Sequence, residues 1–277
     1  MGSILVGLLA ETFIHSGAGS NEGAIDLPVA REAATGYPFI PGSGMKGALR
    51  DLAEQENKSW VGTCFGRELD HAGGVLVGDA RLLLLSVRSL TGSYKWLTCP
   101  HIVERLHRDM QRAGFSQDEL PQIPEEPEDG KLFGKGEKNI FLEERTFEFQ
   151  EKLPENLVSS IGKYIPNAET KKRLADQLVV VNNREFSWFT SFALPVQARN
   201  DLNDETKESK NLWYEESLPP DTLMYSLLAE RIADSSLNDL ITLLGDKGFF
   251  QAGGNETVGQ GWFGVQVVKP AAEEVTP

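Results

Sequence analysis

Two glycine-rich turns, a basic pair and one aspartate are the residues of this 277-residue chain whose types and spacing could do chemistry. The first turn, Gly42-Ser43-Gly44-Met45-Lys46-Gly47, matches G-x-G-x-x-G, a pattern that seats a dinucleotide pyrophosphate on a helix N-terminus. Its surroundings argue against a dinucleotide. Pro38 and Pro41 flank the preceding stretch, and proline cannot donate to the central parallel strand that such a turn follows. Where an acid would hold the ribose, the chain reads Trp60-Val61-Gly62-Thr63. The physics of the turn survives. Glycines that open a helix leave backbone N–H groups free at its positive end, and Lys46 and Arg50 stand four residues apart on one face. That arrangement seats a phosphate, or it is a tight turn that packs a helix on a sheet beside two solvated cations. The second turn carries Gly253, Gly254, Thr257, Gly259 and Gly261. It too lets a backbone approach a ligand closely, or it is a plain hairpin loop. Two such turns against one sheet face favour a bound polyanion.

Asp26 ends a polar loop that His15 begins. A carboxylate with a reference pKa of ~3.9 is ionised at neutral pH, so it binds a divalent cation or accepts a proton. A loop aspartate also serves as an ordinary turn residue or helix cap, and His15 as an ordinary hydrogen-bonded side chain. His71, His101 and His107 lack metal-ligand spacing, and neither a P-loop nor a G-x-S-x-G elbow occurs. Cys64 and Cys99 are too few for a disulfide framework or a cysteine-rich zinc site, and they read as reduced thiols of a cytosolic protein.

The elements that must position these residues follow from periodicity. Residues 4–14 read as a first strand, 15–26 as loop, and 42–53 as a helix with Met45, Leu49 and Leu52 on one side. Residues 73–87 read as a hairpin-like pair centred on Gly78-Asp79. A helix follows over 101–115, then a surface loop or disordered insertion over 118–130, where three prolines meet a block of acids. Strands are predicted at 141–149 and 185–192 with a helix at 167–180 between them. The almost wholly polar stretch 197–211, bounded by apolar segments, suits the tip of a protruding hairpin. A strand at 222–228, a helix at 236–244 capped by Ser235 or Ser236, and a last strand at 263–268 complete the order, ahead of a frayed tail. The order fits an α+β, ferredoxin-like sandwich with large insertions.

Composition bounds the rest. At 40% hydrophobic and 25% charged the chain can bury a sizeable core, which excludes wholesale disorder. No apolar run approaches the ~20 residues of a membrane span, and the N-terminus lacks the basic start of a signal peptide. The net charge of −14 argues against a generic nucleic-acid coat, yet it is uneven. Residues 31–112 are slightly basic, whereas 113–277 hold most of the acid. Bulk charge sets solubility and long-range steering, so an acidic outer face with one basic groove stays open.

Several stretches, in this order, resemble a known family. They are His15-Ser16-Gly17, Gly23-Ala24-Ile25-Asp26-Leu27-Pro28, Arg31-Glu32 and Gly36-Tyr37-Pro38-Phe39-Ile40-Pro41 running into the first glycine turn and on to Arg50. Asp79-Ala80-Arg81-Leu82, Val87-Arg88-Ser89-Leu90, Trp96-Leu97-Thr98-Cys99-Pro100, Phe141-Leu142-Glu143-Glu144 and the second glycine turn continue it. Together they resemble the RAMP superfamily, and more narrowly the multi-copy backbone subunits of type III-B (Cmr) CRISPR effector complexes. Gly44 departs from a frequent serine, and the acidic balance is high.

The resemblance implies a single domain over 1–277 with a ferredoxin-like or RRM-like palm from 1–14, 42–56, 73–90, 185–196 and 222–268. Finger insertions would occupy 100–180 and a thumb hairpin about 197–214. Copies would stack head to tail along a CRISPR guide RNA, with other Cmr subunits and a single-stranded target RNA as further partners and no membrane. Ser43, Gly44, Lys46, Arg50, Gly253, Gly254, Thr257, Gly259 and Gly261 would then hold the guide backbone. Asp26 would cut target RNA at regular intervals by metal-assisted attack of a 2′-hydroxyl, positioning Mg²⁺ or Mn²⁺ or taking the proton, with His15 orienting. The alternatives are a non-catalytic RNA-binding RAMP subunit and, more distantly, an enzyme that binds a small phosphate cofactor at the first turn.

Overall fold

The computed structural model describes residues 2–20, 23–67, 71–136 and 139–271; most of the tail expected to fray lies outside them. The first strand, β1 (Ser3–Ala10), is apolar along its length because it is covered on both faces. On one side Val6 and Leu8 meet Met45, Leu49, Leu244 and Phe250. On the other, Gly7 lies under the Tyr164 carbonyl, where a Cβ would sit 2.1 Å from that oxygen. Only glycine admits a backbone crossing so close.

A short strand β2 (Phe39–Ile40) leads into α1 (Gly42–Gln55), which buries Met45, Leu49 and Ala53. Its opening N–H has no cap within its own turn; Gly42 N donates instead to Asp79 Oδ1 at 2.7 Å. The chain continues through α2 (Val61–Phe65), the small pair β3 (Gly66–Arg67) and β4 (His71–Ala72), then β5 (Val75–Val77) and β6 (Ala80–Arg88). The expected hairpin about Gly78-Asp79 does not form. β5 and β6 both pair antiparallel with one later strand, β14 (Leu223–Glu230), and Gly78-Asp79 is an interruption in a single line. Gly78 N bonds Leu227 O there, and Ser226 Oγ donates to Gly78 O.

Next come β7 (Tyr94–Thr98) and α3 (Pro100–Arg112). The proline-rich stretch after α3 is neither a loose surface loop nor disordered. Pro121, Pro124 and Pro127 are buried while the acids between them face solvent, a three-residue period that suits polyproline backbone. Strands β8 (Lys131–Gly134), β9 (Ile140–Leu142) and β10 (Arg145–Glu151) follow, so the strand expected over 141–149 is two, folded back at Glu143-Glu144. Helices α4 (Glu155–Gly162) and α5 (Ala168–Gln177) precede β11 (Leu178–Val180).

The strand expected at 185–192 is a helix, α6 (Asn183–Phe192), whose start is capped by the Asn182 side chain accepting from Glu185 N at 2.8 Å. Its Phe186 and Phe189, three apart, face the core, and Trp188 and Phe192 lie four apart on the other side. Aromatic content suggested a strand, but the cap and the helical spacing decide. A protruding antiparallel hairpin, β12 (Val196–Leu202) and β13 (Ser209–Glu216), stands where the thumb is expected. After β14 come α7 (Ser236–Lys247), β15 (Phe249–Gln251) and β16 (Trp262–Val268).

The order β16-β1-β14-β6 is wholly antiparallel, with α1 between β1 and β6 and α7 between β14 and β16. That order is ferredoxin-like; residues 185–196, which the sequence reading assigned to the palm, lie outside it in α6 and the entry to β12. The insertions do not hang off it. β7, β11, β8, β10 and β9 prolong the same sheet beyond β6. Among the described residues no helix is long and apolar enough to cross a membrane.

Candidate functional site

The two glycine turns meet. Ser16, Gly17, Ser43, Gly44, Gly253 and Gly254 line one groove of about 560 Å³, open along its length. Its α1 wall is the small-residue face Gly44, Gly47 and Ala48, and its only described side-chain charges are Asp51 and Glu256. Lys46 and Arg50 are not on that wall; they stand on an adjoining flank of α1, since positions 46 and 50 point away from positions 44, 47 and 51 on a helix. Arg50 Nε is paired with Glu54 at 2.8 Å, whereas Lys46 has no carboxylate partner among the described residues.

Gly253, Gly259 and Gly261 all have positive φ, but they do different work. A Cβ on Gly253 would lie 2.8 Å from the His15 carbonyl, and one on Gly261 2.7 Å from the Ala252 carbonyl. Gly261 is buried, its N–H bonded to Phe13 O, so it ties the turn to the sheet. Gly259 and Thr257 are exposed on the outer rim beyond the groove lining.

His15 is a buried link between the second glycine turn and the hairpin root. Its carbonyl accepts from Gly254 N at 2.8 Å, and its Nδ1 lies 2.8 Å from the carbonyl oxygen of Glu216 at the hairpin root. Glu215, beside it, accepts from the Asn255 side chain of the second glycine turn and stands 3.8 Å from both His15 and Arg199. Glu216 is buried with both oxygens used: Oε2 accepts from Val29 N at 3.0 Å and Oε1 from Arg31 Nη2 at 2.8 Å. Arg31 Nη1 donates on to the carbonyls of Gly36 and Thr190. Sequence reasoning gave Glu215, Glu216 and Asn255 no role, because two adjacent acids read as surface until the hairpin root closes over them.

Asp26 lies at the far side of the same junction. Its loop runs beside β13 as a short parallel partner, Leu27 against Glu215, and Asp26 Oδ2 accepts from Tyr214 N at 2.7 Å. Oδ1 accepts no hydrogen bond among the described residues and the residue is half-exposed. A continuous set of contacts therefore runs from the groove through Gly254, His15, Glu216 and Tyr214 to Asp26. The fold holds the aspartate at a fixed offset from the groove.

The thiols are unsuited to nucleophilic work. Burial pushes Cys64 up to about 12, with Asp234 and Asp239 adding to the effect, and burial pushes Cys99 up to about 11. Among the described residues no group of three or more His, Cys, Asp or Glu side chains converges as a metal site.

Residues 8–264 match the model of the RAMP superfamily. A curated relative from Pyrococcus furiosus (strain ATCC 43587 / DSM 3638 / JCM 8422 / Vc1), CRISPR system Cmr endoribonuclease Cmr4, is 33% identical over 294 residues, covering 100% of this chain and 97% of that protein. The crystal structure of oligomeric Cmr4 from Pyrococcus furiosus superposes with a TM-score of 0.76 at 28% identity, over 98% of this chain and 99% of that one. A chain of the type III-B Cmr-beta complex bound to cognate target RNA, seen by cryo-EM, shares the fold, with a TM-score of 0.80 at 19% identity over 96% of this chain and 97% of that one.

Proposed function

The chain belongs to the RAMP superfamily, and on that premise we propose that it is the multi-copy backbone subunit of a type III-B CRISPR effector. It binds guide RNA and cuts complementary single-stranded target RNA as an endoribonuclease. The full-length relative is a Cmr endoribonuclease, which supports the reading. Its partners are guide RNA, target RNA, further copies of itself and other Cmr subunits, and its place of action is the cytoplasm. The observation that carries the catalytic part is Asp26, anchored through one oxygen while the other accepts no hydrogen bond among the described residues.

The groove between the glycine turns takes a sugar–phosphate backbone through N–H groups and small side chains. Such contacts carry no sequence information, as suits a protein that leaves reading to base pairing. Lys46 and Arg50 extend the phosphate contacts along the flank of α1. Gly259 and Thr257 lie where a strand leaving the groove would pass.

Cleavage proceeds by attack of a target 2′-hydroxyl on its adjacent phosphate. The 2′-oxygen bonds to phosphorus as the P–O5′ bond breaks, leaving a cyclic phosphate and a 5′-hydroxyl. Asp26 Oδ1 accepts the 2′-hydroxyl proton, and solvent returns one to the leaving oxygen. A general base alone supplies ~10²–10⁴-fold, so the fixed offset of Asp26 from the groove contributes alignment as well. Mg²⁺ is commonly held by one or two carboxylates together with substrate phosphates. Asp26 and an RNA phosphate therefore fit Mg²⁺ or Mn²⁺ as a shared site, whereas a cage of protein ligands alone does not form among the described residues. When bound there, the ion supplies neutralisation of the developing phosphorane charge.

One fact favours a second reading, a non-catalytic RNA-binding subunit: Asp26 Oδ2 already anchors a loop on Tyr214 N. Asp26→Asn separates the two, because an amide oxygen keeps that anchor while losing the base. In the chain assembled on guide RNA, Asp26→Asn should lower target cleavage by at least about 10²-fold with RNA binding unchanged. A single 2′-deoxy nucleotide at the cut position should block cutting there alone. Cleavage by Asp26→Asn at the parent rate would establish the second reading, and undiminished cutting of the deoxy target would sink the 2′-hydroxyl route.

A further inference from the structure

RNA in the groove and the aspartate that cuts it are held by different elements, and the joint between those elements sets the distance between them. Gly253 and Gly254 of the second glycine turn are groove wall. Asp26 takes its bearing from β13. Its Oδ2 accepts from Tyr214 N at 2.7 Å, and next to it Leu27 N donates to Tyr214 O while Leu27 O accepts from Glu216 N. His15 joins the turn to the hairpin root through its carbonyl and its ring. Among the described residues, the one direct side-chain bond between turn and hairpin is Asn255 Nδ2 donating to Glu215 Oε1. The same amide nitrogen donates to Gln260 Oε1 at 3.1 Å, so it is held inside its own turn as well.

We propose that Asn255 is a positioning residue for cleavage: it locks the hairpin root to the groove wall and so sets where Asp26 stands against a bound target phosphate. The inference rests on the assignment of Asp26 to cleavage. Residue type points there first. Asn255 has a φ of 64°, a left-handed backbone that glycine adopts without steric cost. The turn has glycine at 253, 254, 259 and 261, yet asparagine stands at this left-handed position, with a side chain that glycine would lack. The acceptor points the same way. Glu215 is 3% exposed, and a buried carboxylate needs hydrogen-bond donors. Arg199 Nη2 and His15 Nδ1 are each 3.8 Å from its Oε1, beyond hydrogen-bond length. Asn255 is therefore the group that bonds this oxygen and fixes its direction. Leverage gives the effect its size. A protruding hairpin pivots at its root, Asp26 moves with β13, and a misplacement of ~1 Å at the reacting atoms costs ~10²-fold in rate. RNA held by backbone N–H groups of the groove does not feel that pivot, so binding and cutting separate.

The test separates cutting from binding in the guide-loaded assembly. Asn255→Gly keeps the left-handed backbone and removes the side chain. It should lower the single-turnover rate at saturating target at least about tenfold, with guide affinity, target affinity and particle size unchanged. Asn255→Asp also tolerates the backbone, but it sets two carboxylates against each other across the joint and should cost at least as much. It stands in if Asn255→Gly fails to assemble. The decisive variant reverses donor and acceptor. Glu215→Gln added to Asn255→Asp lets an amide on the hairpin donate to a carboxylate on the turn, and the Gln260 amide turns over to donate as well. The double variant should recover at least about tenfold over Asn255→Asp alone. A merely structural turn gives a different pattern: guide affinity falls in step with the rate, and the double variant is no better than Asn255→Asp. Either result would overturn the proposal, as would cutting by Asn255→Gly at the parent rate. If Asp26→Asn itself cuts normally, the cleavage assignment fails first. If Asp26→Asn does not cut while Asn255→Gly cuts normally, the positioning role fails by itself.

Discussion

Acidic side chains here divide by how many of their oxygens the fold has already claimed. Glu216 is saturated, Glu215 is held by Asn255, and Glu32 forms a two-pronged pair with Arg105, at 2.9 and 2.5 Å, while accepting from Thr35 as well. Asp26 keeps one oxygen without a hydrogen bond among the described residues, and that difference, rather than residue type, is what supports its proposed role. The Glu32 pair makes a prediction about pH. Burial alone would raise its carboxyl, but the hydrogen bonds and charge of Arg105, with Thr35, outweigh it and hold the group below its ordinary value of 4.5. A depressed carboxyl stabilises the fold fully above the unfolded-state value and loses that contribution as pH falls through the folded-state value. Glu32→Gln should therefore cost on the order of 2 kcal/mol at neutral pH. The gap to the parent should close in acid, as read by urea unfolding at about pH 7 and pH 3; a gap independent of pH would deny the pair its role. Asp26 could be singled out from the residues around it, because Ile25-Asp26-Leu27-Pro28 carries the family resemblance. Arg31 stands in the same resemblance, but its partner Glu216 could not be found, since their pairing joins positions far apart in sequence through a hairpin root that forms only in the folded chain.

Elements whose local signals agree were legible, and those decided by tertiary contacts were not. β1, α1, α3 and α7 follow their apolar spacing, and the polar tip of the β12–β13 hairpin announces itself. α6 did not, because its aromatic residues favour a strand by propensity while the Asn182 cap and the three-residue spacing of Phe186 and Phe189 favour a helix. The proline strap misleads for a similar reason: buried prolines alternating with exposed acids look like disorder unless their period is counted. In the second glycine turn, both glycine signals were visible but their unequal roles were not. Gly253 combines a φ of 105° with the His15 carbonyl 2.8 Å from any Cβ, so alanine meets both strain and a backbone clash. Gly259 has a φ of 80° and open space around it, so alanine meets strain alone, about 1–2 kcal/mol. Gly253→Ala should displace His15 and lower guide affinity in an RNA-binding titration much more than Gly259→Ala does. Equal losses would mean that the turn binds RNA through its rim and that the link to His15 is incidental.

For the whole molecule, a net charge of −14 repels any polyanion at long range, so RNA affinity must come from short-range contacts, which the proposed function assigns to the groove and the flank of α1. Residues 113–277, with sixteen basic against twenty-nine acidic side chains, build the sheet extension, the hairpin and the second half of the palm. A single copy on a single stretch of RNA is then a weak complex. Neighbouring copies that touch each other along one strand add short-range contacts that must outweigh the repulsion between two acidic chains, and a head-to-tail contact of this kind propagates without closing. Binding to guide-length single-stranded RNA should accordingly be sigmoidal in protein concentration. Light scattering during gel filtration should resolve discrete multi-copy particles only when RNA is present. Salt dependence then identifies which cations meet phosphate. Each phosphate neutralised on a single strand contributes about −0.7 to the slope of log affinity against log salt. Lys46→Ala should reduce the slope per copy by about that amount, since Lys46 has no carboxylate partner among the described residues. Arg50→Ala should reduce it less, since Glu54 already offsets its charge in an exposed pair. Equal effects would show that RNA breaks the Arg50–Glu54 pair on binding. A slope unmoved by either variant, with no RNA-dependent growth, would confine RNA contact to backbone N–H groups of the groove and leave the array without its electrostatic anchor.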